Sequence, residues 1–300
     1  MTTIAVSGAS GFVGRSLCAR LQERGDRAIQ LVRRVPAGDR EVRWDPEAGV
    51  LDAASLSECS AVFHLAGENV GGGLWTAARK RRILESRVRG SRLIAERLAE
   101  LSAPPVLIQA SAIGYYGDAD SRWCREGDPP GQGFLPDVVC AWEAAARPAI
   151  DAGLRVVFGR IGIVIGAGGG ALAPMLIPFK LGLGGPIGGG EQYMSWIGLD
   201  DLVSALIHLF ESESIAGPVN LVSPTPVTNR EFTTTLGKVL RRPTLMPLPA
   251  FAVRTLMGQM GRELLLFSER VSCERLQESG FEFRTPDLTS ALSGAVGREA

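Results

Sequence analysis

Through its first half the chain alternates short apolar runs with longer stretches that are apolar on one side only. Thr2-Thr3-Ile4-Ala5-Val6-Ser7 reads as a short buried strand. The next stretch sets Leu17 and Leu21 against Arg15, Arg20, Glu23 and Arg24, the spacing of a helix with one buried face. Ala28-Ile29-Gln30-Leu31-Val32 reads as a second strand, and residues 61–66 as another ending at Gly67. A helix is expected over roughly 76–101, where Ile83, Val88, Leu93, Ile94 and Leu98 fall near helical spacing, and Pro104-Pro105 stops it. A strand at 106–111, a helix over about 136–152 and a strand at 155–160 follow. This order predicts an α/β fold, a doubly wound parallel sheet of the Rossmann type.

From Gly162 the pattern changes. Glycine runs at 168–170, 182–185 and 188–190 flank a short apolar helix at 174–179, and the interleaved apolar residues read as an ordered loop around a site. A helix at 200–211 and a strand at 219–222 resume the α/β order. Helices are expected over about 229–240, 249–258, 263–277 and 286–296. The division is a nucleotide-binding domain over 1–225, carrying the glycine-rich loop 165–195, and a smaller, mainly helical substrate or cap region over 226–300.

The densest signal joins the first strand to the first helix: Gly8-Ala9-Ser10-Gly11-Phe12-Val13-Gly14, spaced G-x-x-G-x-x-G. A strand, a glycine turn and a helix N-terminus together present backbone N–H groups and partial positive charge to an anion, and missing side chains let a pyrophosphate approach. Three glycines can also make a plain turn in a glycine-rich chain. The flanking strand and helix, in the required order, favour a nucleotide cofactor. Ligand-facing residues then belong at strand C-termini: Gly8, Arg33, Ala66, Ser111 and Arg160. After the second strand the chain reads Arg33-Arg34, with no acid before Asp39. An acid there would bind a ribose 2′-hydroxyl and repel a 2′-phosphate, whereas a guanidinium takes two phosphate oxygens. The expected cofactor is NADP(H).

Composition narrows the rest. Basic and acidic residues balance at 32 each, which shows no footprint of nucleic acid or of an anionic membrane as partner. No uncharged run is long enough to span a bilayer and no signal stretch opens the chain. Five scattered cysteines without a C-x-x-C pair point to a reducing, cytoplasmic setting and to no metal site. His64, in a buried strand, and His208, on an apolar helix face, read as structural. Asp200 and Asp201 read as helix N-capping groups.

The segments Gly8–Gly14, His64-Leu65-Ala66-Gly67-Glu68-Asn69, Ser86-Arg87 and Ser111-Ala112-Ile113-Gly114-Tyr115-Tyr116-Gly117-Asp118 carry a family likeness. Trp142-Glu143, Leu181–Gly188 and Trp196–Asp201 complete it. Together they resemble the atypical extended short-chain dehydrogenase/reductases of the sugar-nucleotide epimerase-like (YfcH-like) group, over nearly the whole chain. The resemblance implies NADP(H) on a Rossmann core. It places Gly8, Ser10, Gly11, Phe12, Val13 and Gly14 at the pyrophosphate and Arg33 and Arg34 near the 2′-phosphate. Leu65, Ala66, Gly67, Glu68, Arg87, Ile161 and Gly162 would line the rest of the cofactor path. Asn69, Tyr115 and Trp196 would face a small-molecule substrate, Trp196 by stacking on its ring.

The chain departs from the wider superfamily in one respect. The Tyr-x-x-x-Lys pair that moves the proton and lowers the tyrosine pKa is missing. Four residues beyond Tyr115, Tyr116 and Tyr193 stand Ala119, Asp120 and Ile197. In the expected helix Val139 takes the tyrosine position and Glu143 the lysine position. Three readings stay open. Tyr116 (or Tyr115) acts beside Ser111 with Glu143 as a second proton carrier. Alternatively Cys140 takes part, or the fold binds NADP(H) with little chemistry, as a redox sensor. Ser111, Tyr116 and Glu143 are the catalytic candidates. The substrate expected is small, polar and of nucleotide-sugar kind. Oligomeric state is left undetermined.

Overall fold

A computed structural model of the chain describes residues 1–297. The N-terminal half runs β1 (Thr3–Ser7), α1 (Phe12–Glu23), β2 (Arg27–Val32), β3 (Glu41–Asp45), β4 (Val50–Leu51) and β5 (Ala61–His64). Next come α2 (Ala77–Ala99), β6 (Val106–Ala112), β7 (Trp123–Cys124), α3 (Phe134–Ala144), α4 (Arg147–Asp151) and β8 (Val156–Ile161). The remainder is β9 (Ile163–Ile165), α5 (Leu172–Lys180), β10 (Tyr193–Met194), β11 (Trp196–Gly198), α6 (Leu199–Glu211), β12 (Gly217–Leu221) and β13 (Val227–Thr228). It closes with α7 (Asn229–Leu240), α8 (Ala250–Gly261), β14 (Arg270–Val271), α9 (Glu274–Glu278) and α10 (Leu288–Gly297).

The main sheet has the order β12-β8-β6-β5-β1-β2-β3-β4, parallel throughout except for the β3–β4 hairpin. The chain starts in the middle at β1, works outward through β2 and β3, then crosses back to β5, β6, β8 and β12. That reversal is the topological switch point of a doubly wound sheet, where ligands bind beyond the strand C-termini.

Alternation along the strands explains why both faces are covered. In β1, Ile4 and Val6 meet Leu17 and Leu21 of α1 and Leu202 and Leu206 of α6, while Ala5 joins Leu93, Ile94 and Leu98 of α2 on the opposite face. With helices on both sides, the central strands are buried on both faces (β5 throughout, β1 from Ile4 to Ser7), so they read as continuous apolar runs. A third cluster lies apart from the sheet. Leu172, Leu176 and Phe179 of α5, Phe232 and Leu236 of α7, and Leu288 and Leu292 of α10 pack around Trp196.

Two expected helices are interrupted. The one over 136–152 breaks between Ala144 and Arg147, because Pro148 has no N–H and its ring would meet the Ala144 carbonyl one turn back. The one over 263–277 is broken in its middle and is α-helical only from Glu274. Its first part is a single wide turn at Arg262–Leu266. Residues 270–271 are then extended and pair parallel with β7. Ser268 fixes this path: its N–H donates to Asp118 Oδ1 (3.0 Å) and its hydroxyl accepts from the Tyr193 N–H (3.0 Å). Val271, Ser272 and Cys273 are all buried beneath this pairing.

Among the described residues no helix is long and apolar enough to cross a membrane.

Candidate functional site

The strand C-termini line up along one edge of the sheet. Register places Ser7 beside His64, His64 beside Gln109, and Ser111 beside Arg160. Residues just beyond them therefore form a row from Gly8 through Ala66 and Ser111 to Gly162, with about 4.8 Å between neighbouring strands.

At the β1 end the site is made of backbone. Gly8 has φ +70°, and a Cβ there would sit 2.9 Å from the Ala66 nitrogen. The Gly11 N–H closes the turn on the Gly8 carbonyl at 2.9 Å. Gly14, in the first turn of α1, lies so close that a Cβ would be 2.1 Å from the Gly8 oxygen. Helix α1 has no side chain capping its N-terminus and no acid in its first turn, so its leading N–H groups and positive dipole end are left to an outside anion. The side chains of Phe12 and Val13 turn away from the glycine turn. The Phe12 ring packs against the glycine-rich loop at Gly166, Gly169 and Gly170, and Val13 packs into the core.

This turn opens into a cleft of about 590 Å³ that runs over the ends of β1, β2 and β5. Gly8, Ser10, Gly11, Arg33, Arg34, Leu65, Ala66, Gly67 and Glu68 all line it. Its far wall comes from Trp44 of β3 and from Ser86 and Arg89 of α2. The sequence reading missed Trp44 because β3 has too few apolar residues to announce itself. The two arginines after β2 differ. Arg34 is bound to Glu41 through both guanidinium ends (Nη1–Oε2 2.6 Å), and that pair holds the Glu41 carboxyl below its ordinary range. Arg33 faces the cleft with no such pairing.

The loop after β5 is held from below. Arg87 donates to the Glu68 carbonyl (3.0 Å) and stacks over the Trp142 ring, 5.0 Å from its centroid. Its guanidinium sits directly behind Gly67 and is pushed down to about 10 by burial, so Arg87 supports the Gly67 backbone and does not line the cleft. Arg79 pairs with Glu68 at 3.0 Å. The Asn69 side chain closes its own turn by accepting from the Gly71 N–H, 2.9 Å, which leaves it little reach toward a substrate.

His64 is structural, as its pattern suggested. It is fully buried, and its Nδ1 accepts the Ser7 hydroxyl at 2.6 Å, the same hydroxyl that takes the Leu65 N–H at 3.2 Å. Burial, with Arg87 nearby, lowers its pKa to about 3. His208 likewise bonds Ser279 at 2.8 Å.

At the β6–β8 end the site is made of side chains. Arg160 is almost fully buried and grips Glu143 at both ends, Nε–Oε1 and Nη2–Oε2 each 2.9 Å. The Ser111 hydroxyl donates to the same carboxylate at 2.6 Å. Arg160 Nη1 donates to the Tyr116 hydroxyl (3.1 Å), which donates in turn to Asn220 Oδ1 (2.7 Å). Tyr115 lies flat beneath Arg160, its ring centroid 3.5 Å from the guanidinium carbon. Glu143 fills the position of the missing lysine, and β8 supplies the cation opposite it. The sequence reading placed Arg160 at a ligand-facing strand end and gave it no role. The charge balance required at Glu143 was the signal that could have found it.

Several expected roles change. Tyr116 is 1% exposed, its hydroxyl is spent on Arg160 and Asn220, and burial drives its pKa above the ordinary phenol value. It is therefore a buttress, not an accessible acid or base. Trp196 is fully buried in the third cluster and donates its indole N–H to the Thr225 carbonyl (3.0 Å), so neither ring face is open to a substrate. Asp201 does not cap α6. Its carboxylate takes the N–H groups of Arg284 and Thr285 (2.9 and 3.0 Å) and ties the C-terminal segment to the domain. Ile161 packs against the core. Gly162 bonds the Leu221 carbonyl at 3.1 Å, and a Cβ there would stand 2.7 Å from the Ser195 oxygen.

The chain matches known proteins along almost its whole length. Residues 4–221 match the model of the NAD dependent epimerase/dehydratase family, and residues 248–295 match a domain of unknown function, DUF1731. Epimerase family protein Mb2239 of Mycobacterium bovis is 40% identical over 98% of each chain. Human epimerase family protein SDR39U1 is 36% identical over 98% of this chain and 99% of its own. A crystal structure of human SDR39U1 with NADPH superposes with a TM-score of 0.91 at 34% identity, covering 99% of both chains. A nucleoside-diphosphate sugar epimerase from Corynebacterium glutamicum gives a TM-score of 0.81 at 33% identity, with 99% of this chain and 58% of that one covered. The glycine turn, the switch-point cleft and these likenesses agree: the chain belongs to the NAD dependent epimerase/dehydratase family.

Proposed function

We propose that the protein is an NADP(H)-dependent oxidoreductase or epimerase-like enzyme acting on a small polar substrate of the nucleotide-sugar kind. The observation that carries this reading is the cleft itself, which leads from an uncapped glycine turn to Arg33 over the ends of β1, β2 and β5, with the Ser111–Glu143 pair further along the same edge of the sheet. The turn fits a dinucleotide, because its glycines leave no side chain between the α1 N–H groups and a pyrophosphate. Arg33 supplies the charge for a 2′-phosphate. The NADPH-bound human relative and the nucleoside-diphosphate sugar epimerase support the choices of cofactor and substrate class. The division at about residue 225, with the glycine-rich loop 165–195 and residues 226–300 forming the substrate side, belongs to the same proposal, as does a cytoplasmic setting.

When bound, the nicotinamide would accept or donate hydride. The chain's part is proton handling and positioning. Ser111 Oγ would orient a substrate hydroxyl and take its proton while passing its own to Glu143 Oε1, to which it already donates a hydrogen bond. Arg160 orients the Glu143 carboxylate by two charge-assisted hydrogen bonds. Tyr115 and Tyr116 hold Arg160 in place.

The test is a panel of nucleotide sugars offered to NADP(H)-loaded protein, followed by absorbance of the reduced cofactor and by epimer exchange. Turnover that falls about 100-fold or more in Ser111→Ala and Glu143→Gln supports the enzyme, that being the usual scale for a proton-transfer group. A second reading, a redox sensor, is favoured by the self-satisfied network and the missing Tyr-x-x-x-Lys pair. Tight NADPH binding with no turnover on the whole panel selects it.

A further inference from the structure

Balanced net charge hides a segregated surface. Residues 166–190 contain Lys180 and no acid. Residues 232–262 contain Lys238, Arg241, Arg242, Arg254 and Arg262 and no acid. In the fold these two stretches run side by side. The Met246 N–H donates to the Gly184 carbonyl (3.3 Å), Leu248 N–H to Pro186 (2.9 Å), and Gly188 N–H returns to Leu248 (2.8 Å). The glycine-rich loop and the segment entering α8 thus form one surface.

That surface carries large apolar side chains pointing outward. Ile177, Leu181, Leu183, Leu245, Met246 and Phe251 are between 56% and 81% exposed. Elsewhere exposed apolar residues are scattered singly, which is ordinary for a soluble chain. Here they are clustered, and such a patch marks a binding surface. Lys180 precedes Leu181, Arg242 precedes Pro243-Thr244-Leu245, and Arg254 follows Phe251 by one helical turn on the same face.

We propose that this surface docks on an anionic lipid bilayer, with Leu245, Met246 and Phe251 inserting among the headgroups and the basic residues meeting lipid phosphates. Two features favour this occupant. These six side chains are each more than half exposed, whereas the anchors that receive a partner helix line a concave groove. The two stretches carry basic residues and no acid, so a second copy docking face to face would set like charges against each other, while an anionic leaflet complements them. Apolar protrusions with a basic surround are the arrangement of proteins that bind at a membrane interface without spanning it. The inference is independent of the cofactor reading.

The test is co-sedimentation of the full chain with vesicles of phosphatidylcholine alone and with about 30% phosphatidylglycerol, a composition chosen to give the negative surface potential that attracts basic residues. The expected result is binding to the anionic vesicles only, weakened when salt is raised to about 0.5 M, where the screening length falls to a few ångströms. Leu245→Ser/Met246→Ser/Phe251→Ser should lose binding. Arg242→Glu/Arg254→Glu should weaken it at least about tenfold, each basic residue near the surface being worth roughly fivefold. Both variants should keep the wild-type NADPH affinity and unfolding midpoint, which separates loss of docking from loss of fold. Wild-type protein that stays in solution with anionic vesicles overturns the proposal. So does equal sedimentation of wild type and both variants. A light-scattering mass of a dimer that the triple substitution reduces to a monomer also overturns it, in favour of a second copy.

Discussion

The two ends of the candidate site are built from different materials. Over β1 and β2 the chain offers backbone: a glycine turn, an uncapped helix end and the open cleft above them. Over β6 and β8 it offers a closed set of side chains, Ser111, Glu143, Arg160, Tyr116 and Asn220, which satisfy one another. The first end is pre-formed to receive an anion and changes little if a neighbouring side chain is swapped. The second is a charge-balanced unit in which every member holds another, so altering one leaves a buried partner exposed to the full cost of desolvation.

The largest effect should come from breaking the closed end. Arg160→Met leaves the Glu143 carboxylate without its cation, and removal of one partner of a buried pair costs about 3–5 kcal/mol. Urea unfolding should show a loss of that order. The double variant Arg160→Met/Glu143→Gln should recover part of it, because no unpaired charge remains. A double variant whose loss equals the sum of the Arg160→Met and Glu143→Gln losses would show that the pair is not coupled.

The open end should fail differently. Gly14→Ala drives a methyl group into the Gly8 carbonyl and distorts the turn, so NADPH affinity should fall about 100-fold, or roughly 2.7 kcal/mol. The fall in unfolding stability should be smaller than for Arg160→Met. A variant that binds NADPH like the wild type would remove the turn from the cofactor site. Within the same end, Arg33→Ala should cost more NADPH affinity than Arg34→Ala, since Arg34 is committed to Glu41.

The smallest effect concerns a carboxyl outside both ends. Glu269 is partly buried, and desolvation, with Asp118 nearby, raises its pKa to about 8. A carboxyl with a raised folded-state pKa keeps its proton in the fold while the unfolded chain has lost its own. Stability is therefore highest at low pH and is lost as pH rises toward 8. His64 runs the other way: its lowered pKa makes the fold lose stability below about 6.5 as the unfolded chain takes up a proton. Between pH 6.5 and 8.5 only the Glu269 effect should act of these two. Stability should decline there by about 2 kcal/mol, and Glu269→Gln should flatten the decline. An unchanged slope in that variant would assign the proton elsewhere.

The same contrast explains what the sequence could disclose. The parallel sheet, the turn at Gly8–Gly14 and the line of ligand-facing strand ends follow from local patterns, since each depends on residues close together in the chain. The closed network depends on residues from β6, α3, β8, β12 and the turn after β6. Glu143 and Ser111 could be proposed from positional likeness. Their neutralisation by Arg160 and the burial of Tyr116 arise only when β6 and β8 lie side by side. Trp196 shows the reverse hazard. Beside a glycine-rich loop it read as a stacking surface, yet the helices α5, α7 and α10, far apart in sequence, close over both of its faces. Tertiary anchoring at Ser268 overrode a helical reading of 263–277 in the same way.

The account stands on the claim that the open end is a cleft for NADPH with Arg33 reading the 2′-phosphate. Calorimetric titration of the wild type and of Arg33→Ala, each with NADPH and with NADH, tests it most directly. The wild type should prefer NADPH by at least about tenfold, near the 1.4 kcal/mol expected of one charge-assisted contact. Arg33→Ala should bring the two affinities together by weakening NADPH alone. Equal binding of both cofactors by the wild type, or the same loss for both in the variant, would contradict the claim.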